Sequence, residues 1–193
     1  MDFKITQKDR IFSEFFRVDR VKLVQDCYHS EPIEVTRYHL ERPEVVAVLL
    51  ENTDQNTLVM VQQFRYSSTN HNTTNGWTLE IVGGLIDPGE TPEDAAIRES
   101  LEETGYQVNQ LIPWSGFHPS LGVSNEFIHL YYAQVTDQDK IETGGGLAHE
   151  NEDLQVLELP LSDLMEQIES GTLTDSKSIV ALLRLALKKQ TGA

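Results

Sequence analysis

The chain has 193 residues, enough for one ordinary domain with a modest appendage. Lys and Arg number 15 against 31 Asp and Glu, a formal net charge of −16 that excludes general nucleic-acid or anionic-membrane binding and suits a protein that gathers cations. The longest uninterrupted apolar run, residues 45–50, is too short to cross a bilayer, the opening MDFKITQKDR has no apolar signal core and so predicts a cytoplasmic protein, and the single Cys27 excludes an internal disulfide.

In chain order, residues 15–24 and 33–40 are predicted strands joined by a polar turn. Residues 44–51 and 57–65, β-branched and apolar, form a second pair across the turn-rich NTDQN. A polar loop, residues 67–76, leads to a strand at 77–82, which Gly83-Gly84 is expected to break. A helix follows with Thr91 as N-cap, Pro92 at the first helical position and Gly105 as terminator. Strands are expected at about 106–114, 126–135 and 153–159, and helices at 161–170 and 175–189. This interleaving lacks a regular βαβ rhythm and predicts an α+β fold with a mixed sheet. The first 42 residues read as an extra antiparallel β-subdomain before a main domain at 43–193.

On a helix at about 100° per residue, Glu99, Glu102 and Glu103 share one arc, with Ile97 and Leu101 opposite. Like charges at that spacing repel by about 0.2–0.5 kcal/mol per pair. A hard divalent cation, which takes oxygen ligands, would cancel the repulsion. Taken alone, the arc is equally compatible with a solvated acidic face.

The surrounding string decides between them. GLIDPGETPEDAAIRESLEETGY, from Gly84, resembles the Nudix box through Gly84, Glu90, Arg98, Glu99, Glu102, Glu103, Gly105 and Tyr106. Seven fixed identities at about 6% usage each would coincide by chance roughly once in 10⁸ to 10⁹ windows. Ser100 departs, standing where the family has a larger apolar residue. The resemblance implies the Nudix α/β/α sandwich and two to three Mg²⁺ ions, with Mn²⁺ as a substitute. It places Glu99 and Glu103 as ligands, Glu102 as a third, the Gly83 carbonyl beside them, and Arg98 as the group that orients the carboxylates.

QQFR at 62–65, the W-x-L-E of Trp77 to Glu80, and GGLAHENED at 145–153 are similar to the ADP-ribose and nucleoside-diphosphate-sugar pyrophosphatase branch of that family. That likeness implies Glu150 as general base and Glu152 as a further metal ligand. It also implies Arg65 as a phosphate clamp, with Arg42, Glu126 and Phe16 contacting substrate. Trp77 reads as packing and His149 as surface. At residues 119–126 the chain has PSLGVSNE, with Leu121 in place of a proline associated with ADP-ribose hydrolysis, so the expected substrate is a nucleoside-diphosphate sugar, ADP-ribose first. A Nudix enzyme on another diphosphate and a silent nucleotide-sugar sensor stay open as alternatives. The branch also exchanges its N-terminal region between chains, which implies a homodimer.

Overall fold

A computed structural model describes the chain except residues 71–73, part of the polar loop expected at 67–76, and residue 193; the side chain of Glu150 also lies outside the described residues. Chain contacts divide it into two units: Met1–Glu44 with His118–Phe127, and Val45–Phe117 with Ile128–Ala193.

The first unit is a three-stranded antiparallel sheet, β1 (Phe3–Ser13), β2 (Arg17–Gln25) and β3 (Ile33–Glu41), in that order. The sequence reading does not anticipate β1. Two register shifts, between Ile5 and Gln7 and between Arg10 and Phe12, spoil the alternation by which a strand is recognised. Residues 118–127 join this unit because the Leu40 N–H donates to Val123 O (2.7 Å) and the Arg42 N–H to Asn125 Oδ1 (2.8 Å).

The second unit is built on β4 (Val45–Asn52), β5 (Thr57–Phe64), β6 (Trp77–Glu80), β7 (Val82–Leu85), β8 (Ile112–Pro113), β9 (Ile128–Val135) and β10 (Gln155–Leu159). The main path runs β10-β5-β4-β9-β8, with β6 on β5 and β7 on β4. Among the described strands of this unit only β4 and β9 pair in parallel, so the sheet is mixed, as expected. Helices α1 (Pro92–Thr104), α2 (Leu161–Ser170) and α3 (Ser176–Thr191) complete it.

Strand β4 is apolar from Val45 to Leu50 because both its faces are covered there. Val46, Val48 and Leu50 pack with Ala95 and Ala96 of α1, while Ala47 and Leu49 pack with Leu164 of α2 and Ala181, Leu182 and Leu185 of α3. This alternation produces the three-layer α/β/α sandwich. Of the strand expected at 106–114, only a bridge at Tyr106 and the two residues of β8 form, since Gly105 is left-handed and Pro113 lacks a donor. No described helix is long and apolar enough to cross a membrane.

Candidate active site

The chain does not break at Gly83-Gly84. Both glycines lie inside β7, and the interruption falls one residue earlier than β7 begins, at Ile81. Through Glu80 the chain pairs with β5, and from Val82 it pairs with β4. The buried Ile81 N–H donates to Ser178 Oγ at 2.8 Å.

Facing β7 is α1, begun as expected by Thr91, whose hydroxyl accepts the Asp94 N–H (3.2 Å), and ended by left-handed Gly105. Its orientation reverses the usual amphipathic rule. Glu99 and Glu103 are buried, whereas Ile97 is 39% exposed. Small side chains, Ala95, Ala96, Ser100 and Thr104, fill the rest of the inner face. Ser100 fits there by donating its hydroxyl to Ala96 O at 2.7 Å.

The two glycines admit the carboxylates. A Cβ on Gly84 would overlap the Glu99 carboxylate. The Gly83 N–H donates to Glu103 Oε2 (3.2 Å), and in an antiparallel strand a residue's N–H and C=O face the same side. The Gly83 carbonyl therefore points to the Glu103 side. Arg98 binds three carboxylates at once: Nε to Glu90 Oε1 (2.9 Å) and Nη1 to Glu99 Oε1 (2.8 Å) and Glu102 Oε2 (2.9 Å).

Burial pushes the Glu99 carboxyl up to about 7, against the pull of Arg98, with Glu102 and Glu152 adding to the rise. Burial, and then the neighbouring Glu99, drive Glu103 well above the usual carboxylate range. Among the described residues, no group of three or more His, Cys, Asp or Glu side chains is arranged to hold a metal ion. Glu99 and Glu102 turn to Arg98, Glu103 to Gly83, and Glu152 Oε2 accepts the Leu147 N–H (3.2 Å). The donor chemistry nonetheless fits a hard divalent cation: all-oxygen, buried, and carrying mutual repulsion that such an ion relieves.

The segment bearing Glu150 and Glu152 is tied to the end of α1. The Gly145 N–H donates to Glu103 O (2.8 Å) and the Gly146 N–H to Glu102 O (3.1 Å), so the loop satisfies carbonyls that the last helical turn leaves open. Backbone at residues 148–150 forms a single 3₁₀ turn.

Arg65, at the end of β5, makes a bidentate pair with Glu80, Nε to Oε1 (2.9 Å) and Nη2 to Oε2 (3.0 Å), and its side chain stays about half exposed. Glu80 also receives Lys177 Nζ (2.5 Å), which bridges to Asp175 Oδ2 (3.1 Å). The sequence reading misses Lys177. It lies beyond the box, at the start of α3, where neither spacing nor periodicity marks it. Yet its stem lies within about 3.2 Å of where a Cβ on Gly83 would stand, and its charge opposes the rise at Glu103.

The remaining expected residues lie in the first unit and group there. Arg42 Nη2 approaches Glu126 Oε1 at 3.4 Å, and the guanidinium sits 5.0 Å from the Phe16 ring centroid. A cleft beside them is lined by Phe15, Arg17, Arg42 and Asn125. Trp77 is partly exposed and packs edge-on against Phe64, and His149 is exposed.

A NUDIX domain family model matches residues 41–181. The chain is 34% identical over 184 residues to a GDP-mannose pyrophosphatase of Cronobacter sakazakii, covering 94% of each. It is 33% identical over 176 residues to a GDP-mannose pyrophosphatase of Escherichia coli, covering 91% of each. A crystal structure of an ADP compounds hydrolase superposes with a TM-score of 0.75 over 98% of this chain and 96% of that one; at 23% identity the likeness is one of fold.

Proposed function

We propose, since the chain belongs to the NUDIX family, that it is a pyrophosphatase that hydrolyses nucleoside-diphosphate sugars to a nucleoside monophosphate and a sugar phosphate. The observation that carries this reading is the set of buried carboxylates held by Arg98 against the glycine strand. A surface helix evolved for solubility would not bury Glu99 and Glu103 while exposing Ile97.

Glu99, Glu103 and the Gly83 carbonyl, joined by Glu102 and Glu152, would hold two to three Mg²⁺ ions, with Mn²⁺ able to replace them. Bound there, such ions supply neutralisation of the diphosphate charge and acidify a coordinated water. Arg98 orients Glu90, Glu99 and Glu102. Glu150 takes the proton of the attacking water. Arg65, aimed by Glu80, donates to a phosphate oxygen, and Lys177 adds a second positive charge at the same Glu80 carboxylate. Arg42, Glu126 and Phe16 contact the nucleoside and sugar.

The first unit, residues 1–42 in the sequence reading, serves to join two copies of a cytoplasmic chain. Phe3, Ile5, Phe12 and Phe15 are exposed on it, an expensive arrangement for an isolated subunit. The substrate follows the curated relatives toward GDP-mannose, with ADP-ribose, suggested by the branch resemblance, as the second member of the panel. The test is phosphate-ester release from GDP-mannose, ADP-ribose, other nucleoside-diphosphate sugars and nucleoside triphosphates, with Mg²⁺ or with EDTA. Metal-dependent turnover confined to the sugars is expected. Turnover only of triphosphates, or undiminished turnover in EDTA, overturns the reading.

A further inference from the structure

We propose that Ser178 is a positioning residue of this site, holding the crossover at Ile81 so that Glu80 and Gly83 keep their relative places. The inference rests on the hydrolase reading above and adds to it a residue outside the box, the catalytic loop and the substrate contacts.

Sheet topology creates the need. Strands β4 and β5 pair only at residues 50–52 and 57–59, and the chain of β6 and β7 passes from one to the other. Glu80 is the last residue laddered to β5 and Val82 the first laddered to β4. Ile81 falls between two ladders with no accessible surface, so its N–H must find a partner off the sheet. The fully buried Ser178 hydroxyl oxygen supplies it.

The hydroxyl is fixed in turn. It donates to Asp175 Oδ2 (2.6 Å), which also accepts the Ser178 N–H (3.0 Å) and the Lys177 ammonium (3.1 Å). Lys177 reaches Glu80, adjacent to Ile81, and the circuit closes: Ile81, Ser178, Asp175, Lys177, Glu80. Capping α3 explains only part of it. The N-cap requires the Asp175 carboxylate and the Ser178 N–H, and alanine at 178 would satisfy both. What alanine could not do is receive the Ile81 N–H. The Ser178 side chain therefore serves the strand, two residues from the Gly83 backbone that meets Glu103 and one from the Glu80 that aims Arg65.

Small displacements at a reacting centre cost far more rate than stability. Three variants of the full chain test the assignment: Ser178→Ala, Ser178→Thr, which retains a hydroxyl, and Leu183→Gly, a helix-weakening change at an exposed α3 position that touches none of these groups. All are compared at a temperature where circular dichroism shows each fully folded. Ser178→Ala is expected to lower kcat at least tenfold with KM within about threefold, and to speed amide hydrogen exchange in the peptide covering residues 80–84 of the metal-free protein. Ser178→Thr should recover most of both, and Leu183→Gly should change neither. Wild-type exchange at 80–84 in Ser178→Ala, or an equal kcat loss in Leu183→Gly, overturns the assignment, as does faster exchange with unchanged kcat. If the wild-type chain hydrolyses no nucleoside-diphosphate sugar, the functional reading fails by itself; exchange at 80–84 and its recovery in Ser178→Thr still decide whether Ser178 holds the crossover.

Discussion

Glu103 combines two properties that seldom coincide in a carboxylate: it is almost wholly buried, and the groups nearest it include another acid. Its backbone partner among the described residues is the Gly83 N–H, which a glutamine could also satisfy through its amide oxygen. Glu103→Gln should therefore leave the melting temperature unchanged or raise it, because the cost of burying a carboxylate and then the repulsion from Glu99 are relieved, while kcat falls by at least about a hundredfold through loss of a charged ligand. Steady-state kinetics beside a thermal melt check this, and near-normal turnover would sink the metal assignment. At this scale the sequence was informative where chemistry fixes residue types at short spacing: Glu90, Arg98, Glu99, Glu102 and Glu103 fall within one helix and its approach, and Arg98 indeed binds four partners there, the fourth being Leu85 O. No role could be read for Lys177 or Ser178, for a physical reason. Each acts across 94 or more residues of chain, Lys177 on Gly83 and Ser178 on Ile81, and one sequence carries no signal for such distant pairing.

Among the elements, two glycines flanking the carboxylate helix make opposite predictions. The atoms nearest a Cβ at Gly84 are the carboxyl group of Glu99, the end of a flexible side chain. Gly84→Ala should thus cost little stability but move a carboxylate, reducing activity at least tenfold. Gly105, at φ 78°, would drive its Cβ into the Glu142 backbone, which cannot swing. Gly105→Ala should destabilise by more than about 1 kcal/mol, visible as a lower urea midpoint. Equal melting temperatures for the two variants would contradict this contrast.

The β6–α3 connection makes a pH prediction. Burial alone would raise the Glu80 carboxyl, but Arg65 and Lys177 overcome it and hold it down at about 2, against an ordinary 4.5. A depressed carboxylate stabilises the fold fully above its ordinary value and loses that contribution as pH falls toward the folded one. The gap in unfolding free energy between wild type and Glu80→Gln, at most about 3 kcal/mol, should shrink between pH 6 and pH 3. A gap independent of pH would show that Glu80 acts through packing alone. Element boundaries follow the same logic as the residues. Helix α1 was readable to the residue because its caps are local, whereas β1 was hidden by two register shifts, and the true interruption at Ile81 was masked by glycines that look like breakers.

For the whole molecule, the mixed sheet was legible from the interleaved order of elements and the α/β/α layering from the resemblance of the box, while the burial of both faces of β4 is a finding of the structure. The number of chains in the functional particle is a matter of unpartnered surface. Light scattering should give about twice the 21.9 kDa of one chain, and a fully active monomer at nanomolar concentration would remove the proposed role of the N-terminal sheet.

The glycine-rich segment after residue 143 has a consequence for how this scaffold can change length. Its neck is stitched twice to α1 and closed by the Leu154 N–H donating to Gly145 O (3.1 Å), while a Cβ on Gly144 would strike the backbone at the helix end. Insertions in the neck would pull the helix out of place. Past Gly146 the chain is a short lobe whose two ends are already pinned, so added residues at its tip cost only the slowly growing entropy of a longer loop. Lengthening at residues 148–151 would thus leave the carboxylate helix where it stands and move Glu150 instead, so in this scaffold the proposed base can be relocated independently of the proposed metal ligands.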